Sequence, residues 1–164
     1  MPNIKIRFAA AEDAGLLLQL IRELAVYEKL IDEVTASEAD LRRYGFGPER
    51  RFEALIASLD GEPVGYALFL PDFSTFSGRP GLFLEDIYIR EPARRCGVGR
   101  RLLARLAAIA VERGCPALNF HVLTWNPAQG FYRRLGFALR DAWQPWGASG
   151  EVVHRLARED REEG

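Results

Sequence analysis

The sequence Leu82-Phe83-Leu84-Glu85-Asp86-Ile87-Tyr88-Ile89-Arg90-Glu91-Pro92-Ala93-Arg94-Arg95-Cys96-Gly97-Val98-Gly99 joins a β-rich run to a helix through an arginine- and glycine-bearing turn. Glycines at 97 and 99 let the backbone approach a ligand closely and adopt dihedrals that bulkier residues avoid. The first N–H groups of a helix starting near Gly97 have no partner within that helix, so they face an incoming anion. The helix dipole adds about half a positive charge at the same end. Together these features make a pyrophosphate cradle over Arg94-Arg95-Cys96-Gly97-Val98-Gly99-Arg100. A dinucleotide fingerprint is excluded, because its third glycine falls on Leu102, and a Gly-Lys-Ser/Thr phosphate loop is absent. Taken alone, the segment equally suits a plain strand-to-helix turn with surface arginines.

Working outward, Leu102, Leu103, Leu106, Ile109 and Ala110 form an apolar helical stripe that Gly114 and Pro116 end. Upstream, Ile4–Phe8 alternates as a first strand, and Asp13 precedes Leu17, Leu20, Ile21 and Leu24, one face of a helix reaching Lys29. Thr35 or Ser37 caps a shorter helix that stops near Gly45 and Gly47. Residues 52–59 and 64–73 flank Asp60-Gly61, a two-residue hairpin signal, and 74–81 reads as loop. Downstream, 117–124 reads as strand, 127–135 as a short helix, 137–140 and 143–148 as further strands, and 151–157 as a last helical segment. Helices alternate with strands around a clear hairpin. The expected architecture is therefore α+β, with a mixed sheet in one domain of 164 residues and helices on both faces.

Composition is that of an ordinary globular chain, 48% hydrophobic and 27% charged. A net charge of −1 argues against a nucleic-acid partner. The charge is unevenly spread: Glu28, Asp32, Glu33, Glu38 and Asp40 cluster early, and Arg90, Arg94, Arg95, Arg100, Arg101 and Arg105 follow later. Such patches suit a cationic small molecule and phosphates respectively, or simply two solvated faces. Cys96 and Cys115 form neither a disulfide framework nor a metal-ligand spacing, so no metal is expected. No apolar run is long enough for a bilayer and no signal-peptide pattern is seen, so the expectation is a cytoplasmic protein without a membrane partner.

The order Glu85-Asp86-Ile87-Tyr88-Ile89, Arg94-x-x-Gly97-x-Gly99, Trp125-Asn126 and Phe131-Tyr132-Arg133-Arg134-Leu135-Gly136-Phe137 resembles the GNAT superfamily of N-acetyltransferases. With Tyr27-Glu28 after Glu23-Leu24-Ala25, it is most similar to the spermidine/spermine (diamine) acetyltransferase branch. The resemblance covers nearly the whole chain, from Ile4 to Leu156. It implies a three-layer αβα fold whose mostly antiparallel sheet has seven strands, the fourth and fifth splaying apart. It also implies an acetyl-CoA-dependent enzyme acting by direct transfer on a primary amine, and a homodimer. The acceptor implied is small and cationic: a polyamine, a diamine or a lysine-like amine. An acyl-CoA-binding module without transfer, or an enzyme acting on a peptide or other amine, is the alternative.

The same resemblance assigns the pantetheine to Ile87, Tyr88 and Ile89, the pyrophosphate to the backbone of Arg95 to Arg100, and further cofactor contacts to Asn126 and Ala128. Arg95 stands where this branch has glycine, and the spacing from Asn126 to Tyr132 is one residue short. Tyr132 resembles the general acid toward the coenzyme sulfur, a role that a phenol protonated at neutral pH can fill. The plainer role is packing beside Phe131. Glu85 resembles a base acting through water, or an anchor for the amine; strand alternation allows only one of Glu85 and Asp86 into the cleft, and the resemblance selects Glu85. Partial burial would make it the better base. Tyr27, Glu28, Asn119, Phe120, His121 and Asp141 align with acceptor-contacting positions. His121 in a strand is more commonly a packed residue, and His154 reads as surface. Cys96 at the helix mouth is the rival nucleophile, but no His–Asp partner lies nearby in sequence.

Overall fold

The computed structural model describes residues 1–160. The described residues form two compact units, divided after Leu123. The first contains β1 (Ile4–Phe8), α1 (Ala14–Tyr27), α2 (Glu38–Phe46), β2 (Glu53–Leu59), β3 (Glu62–Ser74), β4 (Arg79–Ile89), α3 (Val98–Glu112) and β5 (Leu118–Phe120). The second contains α4 (Gln129–Arg134) and α5 (Gly150–Glu159).

The sheet is mixed and has five strands in the order β1-β2-β3-β4-β5 among the described residues. Three neighbouring pairs are antiparallel, and β4 with β5 is parallel. Asp60 and Gly61 both take positive φ, 51° and 93°, as a tight turn with right-handed strand twist requires, and the predicted hairpin follows. The expected loop at 74–81 shrinks to a turn at 75–78, because Arg79 and Pro80 extend β4 against Phe73 and Ser74. The strands expected at 137–140 and 143–148 do not form among the described residues; both segments are irregular. Strand-like composition does not suffice where no neighbouring backbone completes the ladder.

The sheet carries helices on both faces. Leu17, Leu20 and Leu24 of α1 and Leu41 of α2 pack with Ala54, Ile56, Tyr66 and Leu68. The intervening Leu55, Ala57, Ala67 and Phe69 are buried toward the other face, as the two-residue period demands. There the α3 stripe of Val98, Leu102, Leu106 and Ile109 is buried, and α3 contacts β1, β2, β3 and β4. Burying each such side chain contributes about 1.5–3 kcal/mol.

The helix ends set the later geometry. Ser37 Oγ accepts from the Asp40 N–H at 3.1 Å, and the Asp40 carboxylate accepts from the Ser37 N–H at 2.8 Å, a reciprocal cap that starts α2. Asp13 instead caps the short turn before α1, accepting from the Ala10 N–H and from Arg7. α1 stops when Lys29 turns into the left-handed region (φ 61°), and the Lys29 and Leu30 N–H groups donate back to Val26 and Ala25. Arg90 clamps α1 to the end of β4, donating twice to Glu23 at 2.8 and 2.9 Å and once to the Pro63 carbonyl.

Candidate active site

The β4–β5 ladder joins only Leu82, Phe83 and Leu84 to Leu118, Asn119 and Phe120. Beyond Leu84, β4 runs on to Ile89 paired with β3 alone. The edge of Ile87, Tyr88 and Ile89 that faces away from β3 is thus a place where an extended amide chain can add like a strand. A ladder that ends at Leu84 agrees with the splay that the resemblance implies, and the open edge suits the amide-bearing pantetheine arm of coenzyme A. At the end of this edge Arg95 (φ 67°) and Gly97 (φ 85°) turn the chain through the left-handed region into α3. Gly97 is the N-cap of this 15-residue helix. Val98 is buried as its first anchor, while Arg95, Cys96 and Arg100 are exposed and Gly99 is half-buried. The exposed turn and the helix's unpaired N–H groups fit a pyrophosphate.

Register identifies which carboxylate the sheet turns inward. Leu68 pairs with Asp86 and Phe69 with Leu84, so Glu85 is the extra residue of a β-bulge. The bulge reverses the alternation. Leu84 faces the α3 side with Phe69, and Asp86 faces the α1 side with Leu68 and Tyr66. The fully buried Tyr66 donates its hydroxyl to Asp86 Oδ2 at 2.9 Å. Burial pushes the Asp86 carboxyl above the usual carboxylate range; the Tyr66 hydrogen bond opposes that shift and Glu85 reinforces it. Glu28, just past the end of α1, is also raised, by burial and then by the charge of Asp86. Burial and the same carboxylate push the Tyr66 phenol far above its ordinary value. Among the described residues, no arginine, lysine or histidine forms an ion pair with Glu28 or Asp86. Two neighbouring carboxylates without a countercharge form a seat for a cation.

Glu85 itself is exposed. The partial burial expected of Glu85, which the resemblance had selected, falls on Asp86 instead, because the bulge leaves Glu85 as the extra, exposed residue. Tyr27 lies one residue before Glu28, and its ring sits under the Arg94 guanidinium, 4.7 Å from ring centroid to guanidinium carbon. The structure thus brings together Tyr27, Glu28, Tyr66, Asp86, Tyr88 and Arg94. Tyr66 and Asp86 had no assigned role in the sequence; an aspartate next to the predicted glutamate, interrupting an apolar strand, was the available signal.

Other predicted residues have local partners. Asn119 donates its amide to Asp72 at 3.2 Å across β4, and the His121 ring meets Phe83 edge-on at 5.2 Å. Both contacts tie the β5 segment to neighbouring strands, and Phe120 lies between them in the chain. Among the described residues no group of His, Cys, Asp and Glu side chains could hold a metal, and no helix is long and apolar enough to cross a membrane. In the second unit, Asn126 Oδ1 accepts from the Ala128 N–H at 2.9 Å, closing the turn before α4. Tyr132 lies on α4 between Phe131 and Phe137, at ring distances of 5.4 and 6.3 Å. Asp141 lies in an exposed turn.

Residues 18–137 match the Acetyltransferase (GNAT) family. The chain is 39% identical over 169 residues to a thialysine N-epsilon-acetyltransferase from Bos taurus, covering 96% of this chain and 99% of that one. It is 32% identical to a human spermidine/spermine N(1)-acetyltransferase-like protein 1, covering 98% of this chain and 23% of the longer relative. An integron cassette protein from the mobile metagenome of V. cholerae has the same fold, with a TM-score of 0.77 at 24% identity, over 94% of this chain and 97% of that one. With the splayed strands, the left-handed turn into α3 and these likenesses together, the chain belongs to the acetyltransferase (GNAT) family.

Proposed function

We infer that this chain moves the acetyl group of acetyl-CoA by direct transfer to the primary amine of a small cationic acceptor: a polyamine, a diamine or a lysine-like amine. The observation that carries this reading is the Glu28–Asp86 pair, two partly buried carboxylates that form no ion pair with a cationic side chain among the described residues. An ammonium supplies the missing charge. The similarity to enzymes named for thialysine and for spermidine/spermine supports the same acceptor class.

When bound, acetyl-CoA supplies the acetyl group already activated as a thioester. The backbone of Ile87, Tyr88 and Ile89 holds the pantetheine, and the turn from Arg94 to Arg100 holds the pyrophosphate, with Asn126 and Ala128 as further contacts. Glu28 and Asp86 seat an acceptor ammonium beside Tyr27. Glu85, on the bulge, accepts the proton that the amine must lose, or anchors the amine. Tyr132 donates to the sulfur as charge develops there. Asn119, Phe120, His121 and Asp141 complete the acceptor contacts.

The working form we propose is one catalytic domain that assembles as a cytoplasmic homodimer. The exposure of Leu139, Trp143, Trp146, Val153 and Leu156 supports an assembled state. Sedimentation of the purified chain tests it, with a dimer expected and a monomer contradicting it.

An amine panel assayed by release of free coenzyme A tests the function. Diamines and lysine analogues should be turned over in preference to neutral amines and peptides, and Tyr132→Phe should lower kcat with acetyl-CoA binding retained. Preference for a neutral or peptide acceptor, or undiminished kcat in Tyr132→Phe, contradicts the assignment. Coenzyme binding with no turnover of any amine would make the chain an acyl-CoA-binding module.

A further inference from the structure

Arg94 opens the glycine-bearing turn, and a phosphate contact is the obvious use for its charge. Its side chain is engaged elsewhere. Nε donates to the Ile89 carbonyl at 2.8 Å. The guanidinium carbon lies 4.7 Å from the Tyr27 ring centroid and 5.7 Å from the Tyr88 ring centroid. One half-buried side chain therefore touches the last residue of α1 and two residues of the β4 edge, while its own backbone leads into the turn that bears Arg95, Cys96 and Gly97. A planar cation stacked on aromatic faces has an orientation that a lysine does not reproduce.

What lies at the far end of this link gives it meaning. Glu28 follows Tyr27 directly, and the backbone there is held by the closing hydrogen bonds of α1: Glu28 to Leu24, Lys29 to Val26 and Leu30 to Ala25. This turn ends on a lysine in the left-handed region, a conformation that costs free energy without glycine. The Arg94–Tyr27 stack is a contact from outside the helix on this turn. A ligand that orders the turn from Arg94 to Gly97 also orders the Arg94 side chain, and through it the position of Tyr27 and Glu28.

We propose that Arg94 is a positioning residue that ties the coenzyme-binding turn to the acceptor-binding end of α1, so that filling the turn with coenzyme A tightens the amine site. The proposal rests on the coenzyme and acceptor readings above for its two ends, and on the stacked geometry for the link between them. Because linkage is reciprocal, the amine must tighten coenzyme binding by the same factor.

The test uses the whole chain with coenzyme A, which carries no acetyl group and permits no turnover, and 1,3-diaminopropane as the acceptor probe. Hydrogen exchange is followed at the Glu28, Lys29 and Leu30 amides, and calorimetry gives the diamine Kd with and without coenzyme A. In the wild type, coenzyme A should slow exchange at these amides and lower the diamine Kd at least about fivefold. In Arg94→Gln, Arg94→Lys and Tyr27→Leu, both responses should vanish, and the double variant Arg94→Gln/Tyr27→Leu should be no worse than either single change. Tyr27→Leu keeps the arginine and so separates the stack from the charge. Overturning results are coenzyme-induced protection that persists in Arg94→Gln, or a tenfold loss of coenzyme affinity there with α1 exchange unchanged; the second would make Arg94 a phosphate ligand. If the wild type shows no diamine binding while its α1 protection depends on Arg94, the acceptor reading fails and the clamp stands.

Discussion

Replacing Tyr66 with phenylalanine removes a single hydroxyl from the least accessible part of the site. The ring is fully buried and its shape is preserved, so the change is confined to the 2.9 Å hydrogen bond to Asp86. Burial raises the Asp86 carboxyl, and Tyr66 works against that shift. A carboxyl raised on folding contributes most to stability in acid, below the ordinary carboxylate range, and that contribution is lost as pH climbs through the raised value. Tyr66 moderates the loss by stabilising the ionised form. A hydrogen bond to a charged group contributes about 1.5–3 kcal/mol, and one between neutral groups about 0.5–1.5 kcal/mol. Tyr66→Phe should therefore cost about 2 kcal/mol at neutral pH and about 1 kcal/mol in acid, so that the two stability curves diverge as pH rises. Urea denaturation followed by far-ultraviolet circular dichroism across this range gives the difference directly. The same variant should raise the KM for a cationic amine at neutral pH, since less of Asp86 is ionised. Stability curves that stay parallel, or an amine KM that does not move, would refute the coupling of Tyr66 to Asp86.

Lys29→Gly should stabilise the chain by about 0.5–1 kcal/mol in thermal denaturation, because Lys29 holds a φ of 61° at the end of α1. Gly65→Ala should destabilise by about 1–3 kcal/mol, and it should also weaken acetyl-CoA binding measured by calorimetry. The added methyl would collide with the Tyr88 carbonyl and displace the pantetheine edge. Arg95→Gly should relieve the strain of a left-handed arginine (φ 67°) and raise the melting temperature by a few degrees. An accompanying rise in the coenzyme Kd would show that the side chain adds a phosphate contact; an unchanged Kd would make it a bystander.

How much of this was legible depended on how local the determining physics is. The Asp60-Gly61 hairpin and the α3 stripe were readable because turn chemistry and helical period are properties of the segment itself. The end of α1 was placed two residues late, because Lys29, not a glycine, supplies the left-handed stop. β5 was expected over 117–124 but pairs only from Leu118 to Phe120, since the sheet diverges there, and divergence is a property of two strands together. The strands expected at 137–140 and 143–148 failed for the same reason: a ladder needs a neighbour. In the site, Glu28 was reached through the resemblance; its acidic surroundings alone suited a solvated face as well. Strand alternation left Glu85 and Asp86 both open and the resemblance selected Glu85; only the register, with its bulge at Glu85, shows Asp86 on the α1 side. Arg94 was read through its backbone position, and only the folded chain shows its side chain between Tyr27 and Tyr88.

The central claim is that the Glu28–Asp86 pair seats the acceptor's positive charge. It is tested most directly by steady-state kinetics of Asp86→Asn and Glu28→Gln with a diamine, set beside calorimetric binding of acetyl-CoA to the same variants. Each substitution should raise the diamine KM at least about tenfold, a loss of about 1.4 kcal/mol, with the acetyl-CoA Kd unchanged. A diamine KM that stays at the wild-type value in both variants would contradict the account.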